Sequence, residues 1–400
     1  MSAILLFFTF CLICTNVESS RDYIVYSTPG RSRRPAGLYG GYYEFGKKLD
    51  MELTHINRAH YKRTSLTGIA VDSLSYDPVS KNLLLIGSNS LDNFLAKIDP
   101  CKNERIEGEE FYIYPSYKIH AGPFALYDSS VYYIAREHRL VDKVSVRMSL
   151  SIRKVTGCEN DENTFVDRRK HDRLECSVEV AKISDEEIAK AKKWPFSDSI
   201  ATDIAENIRT VGSTLLVVKK GEKLYFFVQI ANPIYTSGRG VDKYSLDLYE
   251  VEEGGQAKIL QSTTVDKKWT GHIMSSIGDI SYKDGLLCWS TFENIFCESW
   301  PRTGNTPSVT NVLKKGDARS VCTVSDYSSS YKDVITGIQI IKTNPLQIAF
   351  GCWASWSGQG GAGYLYSNSQ GTVRNVTAME DTKGKILAGA MVAIDGCSHQ

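Results

Sequence analysis

The feature that most constrains this chain is a short strand–turn–strand unit that recurs along it. Its clearest copy is residues 278–300, Gly-Asp-Ile-Ser-Tyr-Lys-Asp-Gly-Leu-Leu-Cys-Trp-Ser-Thr-Phe-Glu-Asn-Ile-Phe-Cys-Glu-Ser-Trp. Residues 280–282 alternate, Lys283-Asp284-Gly285 carries turn chemistry, and 286–290 run back. A second turn at 291–294 leads into 295–297. Related segments start at Gly122 before Val131-Tyr-Tyr-Ile134, at Gly212 before 223–228, and at Gly337 before 346–350. Asp72-Ser-Leu-Ser-Tyr-Asp77 before Leu83-Leu-Leu-Ile86 fits with Asp72 in the glycine's place.

A multi-strand unit repeated at irregular spacing of roughly 40–90 residues points to radial repetition, an all-β propeller with four antiparallel strands per blade. A small residue at the start of each first strand suits the crowded centre of such a ring. Five blades can be counted between Gly68 and Thr377. Residues 23–28, 38–45 and 51–56 look like three strands lacking a first, and 386–394 like a first strand lacking its followers. Joined, they satisfy the edges of both segments, so the expected fold is six-bladed, with the last blade closed by N- and C-terminal strands.

Residues 157–206 break the pattern. They are polar and charged, and Ser184-Asp-Glu-Glu187 reads as a capping box ahead of a helix over 188–194 that Pro195 stops. The segment is expected to be a helix-containing insertion that folding does not need. Residues 1–19 read as a secretory signal: an apolar core over 4–14 too short to span a bilayer, then Val17-Glu-Ser19 with small residues at the cleavage positions. The expected layout is therefore a signal peptide, then one propeller over 20–400 carrying that insertion, secreted and monomeric, with no transmembrane segment. With 47 Lys+Arg against 46 Asp+Glu, the charge balance offers no argument for a nucleic-acid partner or an anionic membrane.

Two of the ten cysteines, Cys11 and Cys14, belong to the signal, leaving eight. An even number in an oxidising compartment favours disulfides over metal. The turn at 291–294 sets Cys288 opposite Cys297 on adjacent strands, and Cys158–Cys176 would close a short loop inside the insertion. Elimination leaves Cys322–Cys352 and Cys101–Cys397. Asn375-Val-Thr377 is the single N-glycosylation sequon.

Leu286-Leu-Cys-Trp-Ser290, followed by Ile295-Phe-Cys-Glu-Ser-Trp-Pro-Arg-Thr-Gly304, resembles the YWTD repeat of lipoprotein-receptor propellers. Cys288 and Ser290-Thr291 stand where that family has Tyr and Thr-Asp, and no other blade carries the motif. The resemblance spans about one blade and implies six-bladed architecture more than a receptor's function.

No nucleophile elbow, zinc-protease helix or phosphate-binding loop is present. Gly358-Gln-Gly-Gly-Ala-Gly363 lies between two strands with no helix after it and reads as a flexible hairpin loop. The leading expectation is an extracellular binding protein that recognises a protein or small-molecule ligand at one face, with no cofactor. Its candidate ligand-binding residues are His120 and His272, near blade entrances, and Trp353, Trp356 and Tyr364, whose amphipathic rings would give large contact area if exposed. Alternation would instead pack about half of this aromatic group between blades, and a lone histidine at such an entrance also fits a hydrogen-bonded structural role. The alternative is a secreted hydrolase of lactonase or esterase type with a divalent metal such as calcium in the channel. Asp72, Asn207, Asp279 and Asp333, near the starts of first strands, would supply hard oxygen ligands. The competing reading has these residues bonding local backbone amides.

Overall fold

The computed structural model describes residues 22–28, 37–43, 54–55, 70–88, 92–100, 104–115, 123–140, 146–156, 177–187, 213–235, 241–266, 278–291, 294–304, 308–314, 316–318, 321–322, 335–354, 359–367, 373–381, 384–385 and 391–394. Among them there is no helix; every regular element is a strand.

In chain order the strands begin with β1 (Asp22–Thr28), β2 (Gly37–Tyr43) and β3 (Thr54–His55). The first blade is β4 (Ala70–Tyr76), β5 (Leu83–Ser88), β6 (Asp92–Asp99) and β7 (Glu104–Pro115). The second is β8 (Phe124–Tyr127), β9 (Ser130–Leu140), β10 (Val146–Val155) and β11 (Ser177–Glu187). The third is β12 (Ser213–Lys220), β13 (Lys223–Tyr235), β14 (Val241–Glu252) and β15 (Ala257–Asp266). The fourth is β16 (Ile280–Lys283), β17 (Leu286–Thr291), β18 (Asn294–Ser299) and β19 (Thr310–Leu313). The fifth is β20 (Ile335–Thr343), β21 (Leu346–Ala354), β22 (Gln359–Ser367) and β23 (Val373–Ala378), followed by the two-residue pair β24 (Glu380–Asp381) and β25 (Gly384–Lys385), then β26 (Met391–Ile394).

The protein is an all-β propeller. Its five blades of consecutive strands are antiparallel meanders, and a further four-stranded sheet has the order β26-β1-β2-β3. In that composite sheet Tyr23 pairs with Ile394 and Tyr26 with Met391. The sequence expectation counted this sheet as a sixth blade; the blades of four consecutive strands number five. The first strand of each blade adjoins the first strand of the next, and β26 lies against both β20 and β4.

Burial follows the two faces of each blade. Leu215, Val217, Phe226 and Val228 pack against blade two, in one core with Tyr132, Ile134, Leu150 and Ile152. Alternate residues of the same strands, Val218 and Phe227, meet Ile280, Leu287 and Trp289 of blade four. Because both faces are covered, the strands read as near-continuous apolar runs such as Leu224-Tyr-Phe-Phe-Val228.

Two expectations are corrected by blade two. Residues 184–187, read as a capping box, lie in strand β11, where Ser184 pairs with Leu150. The helix expected over 188–194 lies outside the described residues. Nor is the 157–206 segment wholly an insertion, because 177–187 form the blade's outer strand and bury Ala181 and Ile183. The local pattern misled because Ser-x-x-Glu is also compatible with a partly exposed edge strand, where tertiary pairing decides.

The glycine-rich stretch is corrected too. Residues 359–363 open strand β22, with Gly361 opposite Cys352 and Gly363 opposite Phe350. A Cβ on Gly361 would lie 2.1 Å from the Val321 carbonyl oxygen. On Gly363 it would lie 2.7 Å from a Val321 methyl. These glycines admit the connection between blades four and five, which the Cys322–Cys352 disulfide ties to β21 (Cα–Cα 5.5 Å). The second described disulfide, Cys288–Cys297, bridges directly opposed residues of β17 and β18 (Cα–Cα 4.1 Å). Both are pairs expected from the sequence; Cys101, Cys158, Cys176 and Cys397 lie outside the described residues.

Candidate functional site where inner strands converge

The most unusual polar constellation gathers at the start of β16. Gly278 has φ +142°, and a Cβ there would lie 2.1 Å from the Ser290 carbonyl oxygen. Glycine lets the backbone close onto β17, where the Asp279 amide donates to Ser290 Oγ (2.8 Å) and the Ser290 amide donates to the Asp279 carbonyl (2.9 Å). This held backbone aims the Asp279 carboxylate at its neighbours. Oδ1 accepts from the Ile280 amide (2.9 Å) and from Thr214 Oγ1 (3.4 Å), and Oδ2 accepts from the Ile338 amide (3.0 Å). The three donors come from blades three, four and five.

All three donors are uncharged. Burial raises the Asp279 pKa to about 6, and the two amides and the hydroxyl pull it partly back. At neutral pH the group is mostly an anion, and about a pH unit lower it is half protonated. Gln229 stands opposite Thr214 in the β12–β13 ladder. Its Nε2 donates to the Ser290 carbonyl (3.1 Å), while its Oε1, also buried, has no partner among the described residues. The cluster can therefore hold a proton, accept hydrogen bonds or meet a cation; Ser290 has no adjacent base to activate it among these bonds.

The inner strands are stitched further along by serines at equivalent positions of the repeat. Ser75 Oγ accepts from the Leu126 amide (2.9 Å), joining blades one and two. Ser281 Oγ accepts from the Ile340 amide (3.0 Å), joining blades four and five. At the turns of blades one and two, Asp77 accepts from the Ser129 amide (2.8 Å) and Lys97 Nζ donates to the Ser129 carbonyl (3.0 Å).

An aromatic cluster that sequence reasoning passed over lies between blades three and four. Trp300 meets Tyr225, Phe227 and Tyr282 edge-on, with ring centroids 5.0, 5.0 and 5.6 Å away. Its indole Nε1 donates to Glu250 Oε2 (2.8 Å), and Lys220 Nζ stands 5.5 Å from the ring centre. Trp300 is buried, so the cluster is packing between blades rather than a platform. Its only sequence signal was Trp300 at the end of the repeat's third strand.

Of the residues singled out from sequence, the structure brings Asp279 into this polar cluster through local and cross-blade amides. Asp72 sits in β4 at the register shift between Val71 and Ser73. Asn207, Asp333, His120, His272 and Trp356 lie outside the described residues. Trp353 is in β21 opposite Gly360. Tyr364, a ligand candidate only if exposed, is buried among Ile24, Tyr39, Ala349 and Met391 and belongs to the core, the alternative that strand alternation offers for about half of that aromatic group. Asn375 is exposed on β23. Among the described residues, no group of three or more His, Cys, Asp and Glu side chains is placed to hold a metal. Likewise, no described helix is long and apolar enough to cross a membrane.

No protein-family model and no curated protein sequence matches the chain. Solved structures do resemble it. TolB from Acinetobacter baumannii is 10% identical at a TM-score of 0.42, covering 94% of this chain and 67% of TolB. A luciferin-regenerating enzyme is 10% identical at 0.35, covering 79% and 78%. An alpha-L-arabinofuranosidase from Lactobacillus brevis is 10% identical at 0.36, covering 75% and 91%.

Proposed function

We propose that this chain is a secreted binding protein, a six-bladed propeller whose composite sheet is the closing blade. In this reading it recognises an extracellular protein or small molecule through loops at one mouth of the channel, where connections from several blades converge. The observation that carries this reading is the coordination of Asp279. Its oxygens serve donors from three blades, which suits a carboxylate that holds the ring together rather than one reserved for a reaction. Recognition then falls to the loops, as on other rigid β scaffolds.

The specific observation favouring the hydrolase alternative is that a buried carboxyl with a pKa of about 6 shares this cluster with Gln229, whose buried Oε1 has no partner among the described residues; both are oxygen groups of the kind a hard cation takes. Metal analysis of the purified, exhaustively dialysed protein separates the two. The binding reading expects no stoichiometric divalent metal and no ester or lactone hydrolysis. One calcium per chain, with hydrolysis abolished by Asp279→Asn, would replace it with the enzyme. Secretion is tested by the N-terminus of protein from culture medium, expected at Ser20 after removal of residues 1–19.

A further inference from the structure

We infer that Asn375 carries an N-linked glycan and that Tyr366, across the ladder, is the platform on which its first sugar rests. The inference rests on entry into the secretory pathway and on geometry the sequon alone does not supply. Strand β23 is the outermost of its sheet, in the order β20-β21-β22-β23. Along it the side chains alternate: Val376 and Ala378 pack on the core shared with blade four, whereas Asn375 and Thr377 are exposed. The acceptor amide and the hydroxyl two residues on therefore share one face and are both exposed on it.

Tyr366 lies directly opposite Asn375 in the antiparallel ladder and Tyr364 opposite Thr377. Directly opposed side chains stand on the same face with Cβ atoms about 5 Å apart. Further in, Tyr364 is sealed into the core, while Tyr366 is half-buried, beside Asn375 in the ladder and with part of its surface open. A pyranose presents a C–H face that packs on an aromatic ring, so the sugar attached to Asn375 can cover the exposed part of Tyr366. The register shift between Tyr366 and Ser367 leaves Arg374 as the extra residue, ending regular pairing beside the sequon. A glycan here also shields a sheet edge that would otherwise offer unpaired backbone groups to another chain.

The transfer is a substitution at carbon. Nδ2 of Asn375 bonds to C1 of the first sugar of a lipid-linked diphosphate oligosaccharide. The C1–O bond to the lipid diphosphate breaks, that diphosphate leaves with the electron pair, and one amide proton is released. No oxidant or reductant takes part.

The full chain is expressed in a eukaryotic secretory line in two forms, one with its own residues 1–19 and one with an unrelated, proven signal peptide. Peptide mapping after enzymatic release in heavy-oxygen water then reads occupancy at Asn375. Label at Asn375 in secreted protein from both forms is the expected result. Label only with the foreign signal supports the site and removes the secretion reading; unlabelled Asn375 in secreted foreign-signal protein overturns the site. For the platform, protein trimmed to a single sugar is compared with Asn375→Gln by thermal melting. The single sugar is expected to raise Tm by roughly 1–2 °C for a chain of this size. In a Tyr366→Ala background that difference should vanish. An equal difference in both backgrounds would overturn the role of Tyr366 while leaving the glycan in place.

Discussion

At the scale of single residues, Gly278 and Asp279 act as a pair: one permits the close approach, the other uses it. A Cβ on Gly278 would meet backbone, which cannot swing aside, so Gly278→Ala should cost about 3 kcal/mol of stability. Gly304, whose added Cβ would meet nothing within 4 Å, is the matched control and should change little; urea denaturation of both variants checks this. Asp279 carries an opposite-signed pH effect from the usual salt-bridged carboxylate. Its pKa is about 6 in the fold against a reference value of 3.8, so the native state holds the proton more tightly than the unfolded chain. The stabilising contribution of protonation is complete below 3.8 and lost as pH rises through 6. Between pH 7 and 4 the wild type should therefore gain about 2–3 kcal/mol relative to Asp279→Asn, read from denaturant midpoints of both proteins across that window. A difference that stays flat with pH would contradict the placement of this carboxyl.

At the scale of elements, β11 and β22 behave differently from what their local sequence suggests. Strand β11 closes blade two and reaches blade three: the Gly254 amide donates to the Val180 carbonyl (2.8 Å), and Lys182 bridges to Gln256. Replacing 177–187 with a Gly/Ser linker should therefore abolish the cooperative melt rather than leave it unchanged. The milder Ile183→Ala should cost about 2–4 kcal/mol by opening a cavity. For β22, Gly361→Ala would push against the Val321 carbonyl. The expected outcome is loss of stability with release of the segment around Ala318–Cys322, seen as faster backbone hydrogen exchange at Val321 and Cys322. In the sequence these glycines suggest freedom for a loop. Their spacing of two, with Gly361 and Gly363 on one strand face, was the available sign of a strand approached closely by other backbone.

At the scale of the whole molecule, the two ends of the chain meet. Strand β26 is buried at all four positions, and it supplies the ladder partner for β1 while lying between β20 and β4. Deleting 391–400 should leave the β1 edge unpaired and the inner strands of neighbouring blades uncovered. The expected result is aggregation or retention in cells and no two-state melt; a truncated protein that melts like the full chain would show that the pairing contributes nothing.

Local pattern alone determined most of the strands, the meander of each blade and the Cys288–Cys297 bridge; the pairing of residues 23–26 with the C-terminal strand followed from it only by matching two incomplete blades. All of these depend on alternation, turn chemistry and register, which are properties of neighbouring residues. It also placed Asp279 at an inner-strand start, in a position shared by the repeat. What only tertiary structure decided was which groups that carboxylate serves, since Thr214 and Ile338 lie far from it in the chain and reach it from other blades. The same holds for β11, made a strand by blades two and three, and for Tyr364, taken into the core by β1, β2 and β26. A strand's two faces look alike in sequence when both are apolar. Only the packing of blade on blade chooses which residues are sealed, which are left open, and which carry the hydrogen bonds between blades.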